Sequence, residues 1–342
     1  MGCHSVRASP KTLLTDCWYR RPIPLWLKLL WPFAWIYACI MRVRRWCYRI
    51  GLFQVVQLPV PIIVVGNISV GGTGKTPVVA SLAQALSQQG LRVGLVSRGY
   101  GGQVKTVAPV TAESNPHVVG DEAVLLARKT QCPMWVGADR VAAVRALLAA
   151  TPCDVIVSDD GLQHLRLGRA IEVAVIDGER GLGNAYCLPM GPLREPPARL
   201  NSVDYRCVQG SETARLTWKA ICAFQLQCES FLPVDDDSTE SLPRGIRIHA
   251  VAGIGNPGRF FKQLVQLGFD VVEHAFPDHH RYQPTDFAWA EDAYVVMTEK
   301  DAVKCTTFAR PRWFFTRVSA EFAPPLESWV SVLVHRIKAD LR

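Results

Sequence analysis

Residues 62–76 read Ile-Ile-Val-Val-Gly-Asn-Ile-Ser-Val-Gly-Gly-Thr-Gly-Lys-Thr, an apolar run that empties into glycines and ends in Lys75-Thr76. A short, continuous apolar run bounded by a turn is the pattern of a strand buried on both faces of a parallel sheet. The glycines let successive backbone N–H groups turn toward one point, where they hold an anion. Residues 76–86 then carry helical periodicity, which sets the positive end of a helix on that anion. Gly71, Gly72, Thr73, Gly74, Lys75 and Thr76 are therefore expected to cradle the phosphates of a nucleoside triphosphate. Lys75 reaches the β- and γ-phosphates, and the Thr76 hydroxyl is a ligand for Mg²⁺. The strict spacing G-x-x-x-x-G-K-[ST] asks for glycine at 69, where this chain has Ser69. The bland alternative is a glycine-rich turn with an exposed lysine, but strand, loop and helix all fall where phosphate binding needs them.

Outward from this loop the alternation of strands and helices continues. Residues 92–96 form a strand ending in the glycine-rich Ser97–Gly102, and Gly120-Asp121-Glu122 opens a helix. Residues 133–136 form a short strand, 140–150 a helix, and 154–158 and 171–177 two further strands. That rhythm predicts an α/β fold, a P-loop NTPase-like, doubly wound, mostly parallel sheet. Residues 203–228 read as extended linker segments, and Glu229–Arg244 as an acidic, turn-rich excursion. A second βα series starts at Ile246. The expected organisation is an N-terminal segment (1–50), a nucleotide-binding core (51–202), linker strands with a variable excursion (203–245), and a smaller α/β domain (246–342) closing on the site.

At 342 residues the chain is long enough for two such bodies, and half of it is hydrophobic. The formal charge of +8 is concentrated: Arg20, Arg21, Arg42, Arg44, Arg45 and Arg49 flank the apolar stretch Leu25–Met41. No zinc-finger spacing or aromatic–basic RNA signature is present, so no nucleic-acid partner is expected. The stretch is shorter than the roughly 20 residues of a spanning helix, and Lys28 and Pro32 interrupt it. Tryptophans at 18, 26, 31, 35 and 46 suit headgroup depth. The preferred reading is a membrane-associated helix lying on an anionic surface; a buried helix or a single span are the alternatives. Met1–Val6 lacks the Ser or Thr expected for myristoylation. Eleven dispersed cysteines without a C-x-x-C pair argue for reduced thiols in the cytosol. No obligate protein partner is evident.

Ligands of open α/β sheets bind outside the carboxyl ends of the strands. Asp159 follows an apolar strand, the place of a carboxylate that serves the nucleotide's Mg²⁺. Asp160, Gln163 and His164 lie within a turn of it. Which of Asp159 and Asp160 meets the metal is open. Asp121 and Glu122, at a helix start, read equally as a cap or as catalytic acids. His279 and His280 after Asp278 read as a surface pair. Gly253-Ile254-Gly255-Asn256-Pro257-Gly258 fits the dinucleotide pattern G-x-G-x-x-G, with Asp270 and Glu273 near the ribose-binding distance. Pro257 inside the turn, and a phosphate loop elsewhere, favour a tight βα turn or a loop that meets substrate.

Together these segments resemble the tetraacyldisaccharide 4′-kinases of lipid A biosynthesis. The resemblance rests on residues 65–77, Ser97–Gly101, Gly120–Glu122, Asp159–His164, Leu188–Pro196, Asp278–His280 and Thr298–Lys304. It implies that the γ-phosphoryl of ATP passes to the 4′-hydroxyl of a tetraacylated glucosamine disaccharide 1-phosphate. The implied place is the cytoplasmic face of a Gram-negative inner membrane. The resemblance further implies that Asp121 is the base, supported by His279, that Glu122 and Asp159 help hold Mg²⁺, and that Asp160 and His164 complete the network. The competing readings are a regulatory or metal-chaperone NTPase without a lipid acceptor, and a membrane-associated nucleotide-binding protein with little catalysis. Absence of the guanine motif N-K-x-D favours ATP.

Overall fold

The computed structural model describes residues 15, 17–235 and 241–340. Among these, twelve strands form one sheet: β1 Ile62–Gly66, β2 Val93–Ser97, β3 Ala108–Val110, β4 Met134–Val136, β5 Val155–Asp159, β6 Ile171–Asp177, β7 Tyr205–Gln209, β8 Cys222–Pro233, β9 Arg247–Ala252, β10 Asp270–Ala275, β11 Val295–Thr298 and β12 Trp313–Ala323. Their order is β10-β9-β11-β12-β8-β7-β6-β1-β5-β2-β4-β3. All pairings are parallel except β12 with β8 and β3 with β4. The apolar run that opened the chain is the fully buried β1, parallel to β5 on one side and β6 on the other.

Both faces are covered. Helices Lys75–Gln88, Asp121–Thr130 and Leu326–Asp340 pack Leu82, Leu86, Leu126 and Leu333 against Ile63, Val65 and Val157. Helix Arg140–Ala150 lays Val141, Val144 and Leu147 on Ile62, Val64 and Ile156 of the opposite face. The alternation of sides follows from the right-handed crossovers that join parallel strands. In the second half of the sheet, Val251, Phe287 and Trp313 fill one face and Phe260, Leu264 and Phe314 the other.

One expectation changes. Residues 203–228 are not only extended segments: a helix, Glu212–Trp218, separates β7 from β8. The strands are linking ones: β7 and β8 carry the sheet from the first half into the second. The long antiparallel β8–β12 pair is the join. The apolar stretch is broken between Lys28 and Pro32, as expected: a one-turn helix, Leu25–Lys28, ends before the long N-terminal helix begins. Helix Trp31–Arg49 has proline in its first turn, where a missing N–H costs nothing, and runs on through the arginines.

That helix turns Ala34, Ala38 and Cys47 inward and its large apolar side chains outward. Leu25 and Leu29 before it are 79% and 76% exposed, and Phe33, Trp35, Ile40, Val43 and Trp46 are all exposed. The helix is therefore not packed as a core helix. No helix of the described residues is long and apolar enough to cross a membrane. Arg44 and Arg45 fold back onto the protein, donating to the Gln163 carbonyl and to Ser202 Oγ. Arg20, Arg21, Arg42 and Arg49 are exposed. Among the described residues ten cysteines are free. Cys3, the Met1–Val6 start and residues 236–240 of the acidic excursion lie outside the described residues.

Candidate active site

The carboxyl ends of β1, β5 and β2 face those of β9 and β11 across a cleft of about 990 Å³. Its floor is the loop after β1. Gly74 holds a left-handed backbone, φ 79°, as it caps helix Lys75–Gln88, and a side chain there would meet the Phe224 ring at 3.0 Å. The buried Asn67 amide spans the loop, donating to Thr73 Oγ1 and the Gly71 carbonyl. Residues 188–196 brace it from outside, Val70 N donating to the Pro192 carbonyl and Arg194 N to that of Ile68. Val70 to Thr76 all line the cleft.

The same brace delivers Arg194 to Asp160. The guanidinium meets both carboxylate oxygens at 3.0 and 2.8 Å, and Lys75 Nζ lies 3.7 Å from Oδ1. Burial raises the Asp160 carboxyl, but Lys75 and Arg194 outweigh it and bring it down to about 2. Asp159 is placed differently. It is buried at the end of β5, and its Oδ1 has no hydrogen-bond partner. Burial, with Glu122 adding its charge against the pull of Lys75, pushes that carboxyl up to about 7. Of the doublet, Asp160 is already satisfied and Asp159 has an unused oxygen.

At the opposite wall the helix Asp121–Thr130 presents Asp121 and Glu122. Glycine at 120, φ 98°, lets the chain enter this helix beside the Tyr100 carbonyl, which a side chain there would meet at 2.7 Å. His279 arrives from the second half of the sheet. Its Nδ1 is 3.0 Å from Asp121 Oδ1 and 3.2 Å from Oδ2, and its ring packs edge-on to Tyr100. His279 adopts a left-handed backbone, φ 60°, a sparsely populated conformation of the kind found at functional sites. Burial opposes the Asp121 charge, yet the His279 hydrogen bond, Lys300 and Lys304 outweigh it and hold the carboxyl well below the ordinary range.

Lys300 and Lys304 were given no role from the sequence. Lys300 Nζ lies 3.0 Å from Glu122, 3.2 Å from Asp278 and 3.4 Å from His279 Nε2. Burial works against its charge, but Glu122, Asp121 and Asp278 hold it firmly protonated. Glu122 is kept ionised in turn, Lys300 and Lys75 outweighing its burial. Their local sequence carried no such signal: Lys300 lies in the short helix Glu299–Ala302 after β11, and Lys304 in the turn that follows it.

Gln163 and His164 do not line the cleft. Gln163 Nε2 donates to the Asn67 carbonyl and to Glu195, one layer behind the phosphate loop. His164 Nε2 faces Asp139 at 4.0 Å, and burial with the Arg140 charge lowers its imidazole to about 4. His280 pairs with Asp286, away from Asp121. The 253–258 turn does line the cleft, opposite the phosphate loop. A side chain at Gly255 would stand 2.5 Å from Gly72 N, so only glycine allows the two loops this approach. Arg180 donates to the Gly255 carbonyl, and Arg259 ties the following helix to Asp177 and Glu179.

A family model described as tetraacyldisaccharide-1-P 4′-kinase matches residues 26–335. A tetraacyldisaccharide 4′-kinase of Alkalilimnicola ehrlichii is 51% identical over 310 residues, 90% of this chain and 92% of its own length. One from Nitrosococcus oceani is 48% identical over 307 residues, 89% of each chain. Among solved structures, LpxK from Aquifex aeolicus in complex with ATP superposes with a TM-score of 0.75 at 28% identity, covering 92% of this chain and 99% of that one. With a phosphate loop at one end of the cleft, a histidine-held carboxylate at the other, and such relatives along nearly its whole length, the chain belongs to the tetraacyldisaccharide-1-phosphate 4′-kinase family.

Proposed function

We infer that the cleft transfers the γ-phosphoryl of ATP to the 4′-hydroxyl of a tetraacylated glucosamine disaccharide 1-phosphate, a step of lipid A biosynthesis. The observation that carries this reading is the His279–Asp121 pair, assembled from both halves of the chain over a cleft floored by the phosphate loop. A hydrolytic switch or a passive nucleotide binder needs no carboxylate at an acceptor position. Asp121 takes the hydroxyl proton, with His279 orienting it. A carboxylate this acidic is a weak base, which suffices because little proton transfer is needed until the phosphoryl bond to the acceptor forms. Lys75 neutralises charge growing toward ADP. Residues 246–342 supply His279 and Lys300, which meet the acids of the first half. Mass spectrometry of the acceptor after incubation with ATP should show one added phosphate, on the non-reducing sugar. Addition elsewhere contradicts the regiochemistry.

Thr76, Glu122 and Asp159 are the residues that would hold Mg²⁺. The unpartnered Asp159 oxygen, in a wall of the cleft shared with the other two, fits a hard cation that keeps several waters. When bound, the metal neutralises phosphate charge. Because the Asp159 carboxyl is raised to about 7, it holds a proton at lower pH that must leave before a cation binds. Mn²⁺ affinity, read by electron paramagnetic resonance without nucleotide, should therefore weaken below pH 7, by up to about tenfold per pH unit. An affinity unchanged between pH 8 and 6 would remove Asp159 from the metal site.

The outward apolar face of Leu25–Arg49, with Arg20, Arg21, Arg42 and Arg49 exposed beside it, suits an anionic bilayer surface on which an acylated acceptor stays. We place the enzyme on the cytoplasmic face of the inner membrane. Ile40→Glu with Val43→Glu should sharply reduce co-sedimentation with phosphatidylglycerol vesicles while the folded protein is retained. Unreduced binding would move the contact elsewhere.

A further inference from the structure

The mechanism above uses His279 on one side of Asp121, yet a second cation from the same half of the chain stands on the other. Lys304 is buried, 5% exposed. Its Nζ lies 2.8 Å from Asp301 Oδ1, 3.6 Å from Asp121 Oδ2, and 4.9 Å above the face of Tyr282. A buried ammonium is costly unless its charge is matched, and one carboxylate would be enough to match it. Asp301 is that carboxylate, and it is immovable. It is wholly buried, with its other oxygen taken by Thr298 Oγ1 at 2.6 Å and Gly253 N at 2.9 Å. The ammonium is thus anchored from its own half, and the longer approach to Asp121 is an additional contact across the cleft.

What that contact does follows from the aspartate's torsion. The Cβ–carboxylate bond has a broad, two-fold potential, so neighbours and not rotamer preference set the plane of the carboxylate. On Oδ1, Asp121 receives Glu122 N at 2.9 Å and His279 Nδ1 at 3.0 Å. On Oδ2, among the described residues, it has only the longer His279 contact, 3.2 Å, and Lys304. Lys304 is the cation that opposes a swing of this carboxylate toward Lys300, which lies 3.0 Å from the adjacent Glu122.

We propose that Lys304 is a positioning residue for the transfer, an anchored cation that fixes the plane of the Asp121 carboxylate from behind. The inference rests on the reading of Asp121 as the base. It is tested with the full chain on detergent-dispersed disaccharide 1-phosphate, measuring kcat and both KM values for Lys304→Met, Asp121→Asn and the combination. A misplaced group of this kind costs on the order of 10²-fold in turnover. Lys304→Met should therefore lower kcat by about that factor with both KM values within about twofold. The combined variant should turn over no more slowly than Asp121→Asn alone, because a positioning residue has nothing left to position. An unchanged kcat in Lys304→Met, or losses that multiply in the combined variant, overturns the proposal while leaving Asp121 as base. If Asp121→Asn itself keeps its kcat, the base assignment falls, and the proposal with it. Lys304→Met leaves Asp301 a buried, unpaired carboxylate and can unfold the chain. Lys304→Met with Asp301→Asn removes both charges: the same kcat loss in that folded variant supports the proposal, and a wild-type kcat overturns it.

Discussion

Asp121→Asn should lower kcat by about 10²–10⁴-fold, the span covered by general acid–base groups, while KM for the glycolipid should change little. The amide keeps the shape of the carboxylate and its place at the head of helix Asp121–Thr130. It cannot take a proton, and it removes the negative charge between His279 and Lys304. The sugars, acyl chains and 1-phosphate of the acceptor offer binding contacts that do not need that charge, so binding should survive and turnover should not. A rise in KM at constant kcat would make Asp121 a binding group, not the base. Measurement at several pH values adds a check on sign. Asp121 is held well below the usual carboxylate range, so it stays ionised throughout the neutral range and its own titration should not appear there.

Lys75→Ala removes the only side-chain cation of the loop between Val70 and Thr76, and should lower kcat by about 10²–10³-fold, as loss of one preorganised charge-stabilising donor does. Two further effects distinguish it from Asp121→Asn. The Lys75 ammonium helps neutralise Asp160 at 3.7 Å, and its charge reaches both Glu122 and Asp159. Its loss leaves three carboxylates facing the phosphates with less compensation, so nucleotide affinity should fall with turnover. Arg194 remains paired with Asp160, which keeps the loop folded. Fluorescent-nucleotide titration beside steady-state kinetics checks both. Unchanged nucleotide affinity together with unchanged kcat would separate this loop from the chemistry.

The phosphate loop was legible because everything it needs is local: the β1 strand, the glycines and the helix start lie within fifteen residues and speak through spacing alone. The same holds for Asp159 at the end of its strand. Asp121 with His279 was not, since 158 positions separate them and a histidine after an aspartate reads the same on any surface. Only the resemblance of the whole set singled them out. Lys304 was unreadable for the same reason: its partner Asp121 belongs to the other half of the fold. Within 203–228 the strands were legible but the helix Glu212–Trp218 was not, because it buries none of its residues and so shows no core-facing stripe. Gln163 and His164 were placed by their nearness in sequence to Asp160. Yet a turn after β5 carries them behind the loop, where Gln163 holds Asn67 and, through it, the shape of the phosphate cradle.

The most direct measurement is the fate of the γ-phosphoryl. Purified chain would be given γ-labelled ATP and Mg²⁺ with and without dispersed tetraacylated disaccharide 1-phosphate. The label should move onto the lipid, with ADP formed in equal amount only when the acceptor is present. Label released as free phosphate, at a rate indifferent to the lipid, would contradict the kinase reading and leave a nucleotide-hydrolysing switch in its place.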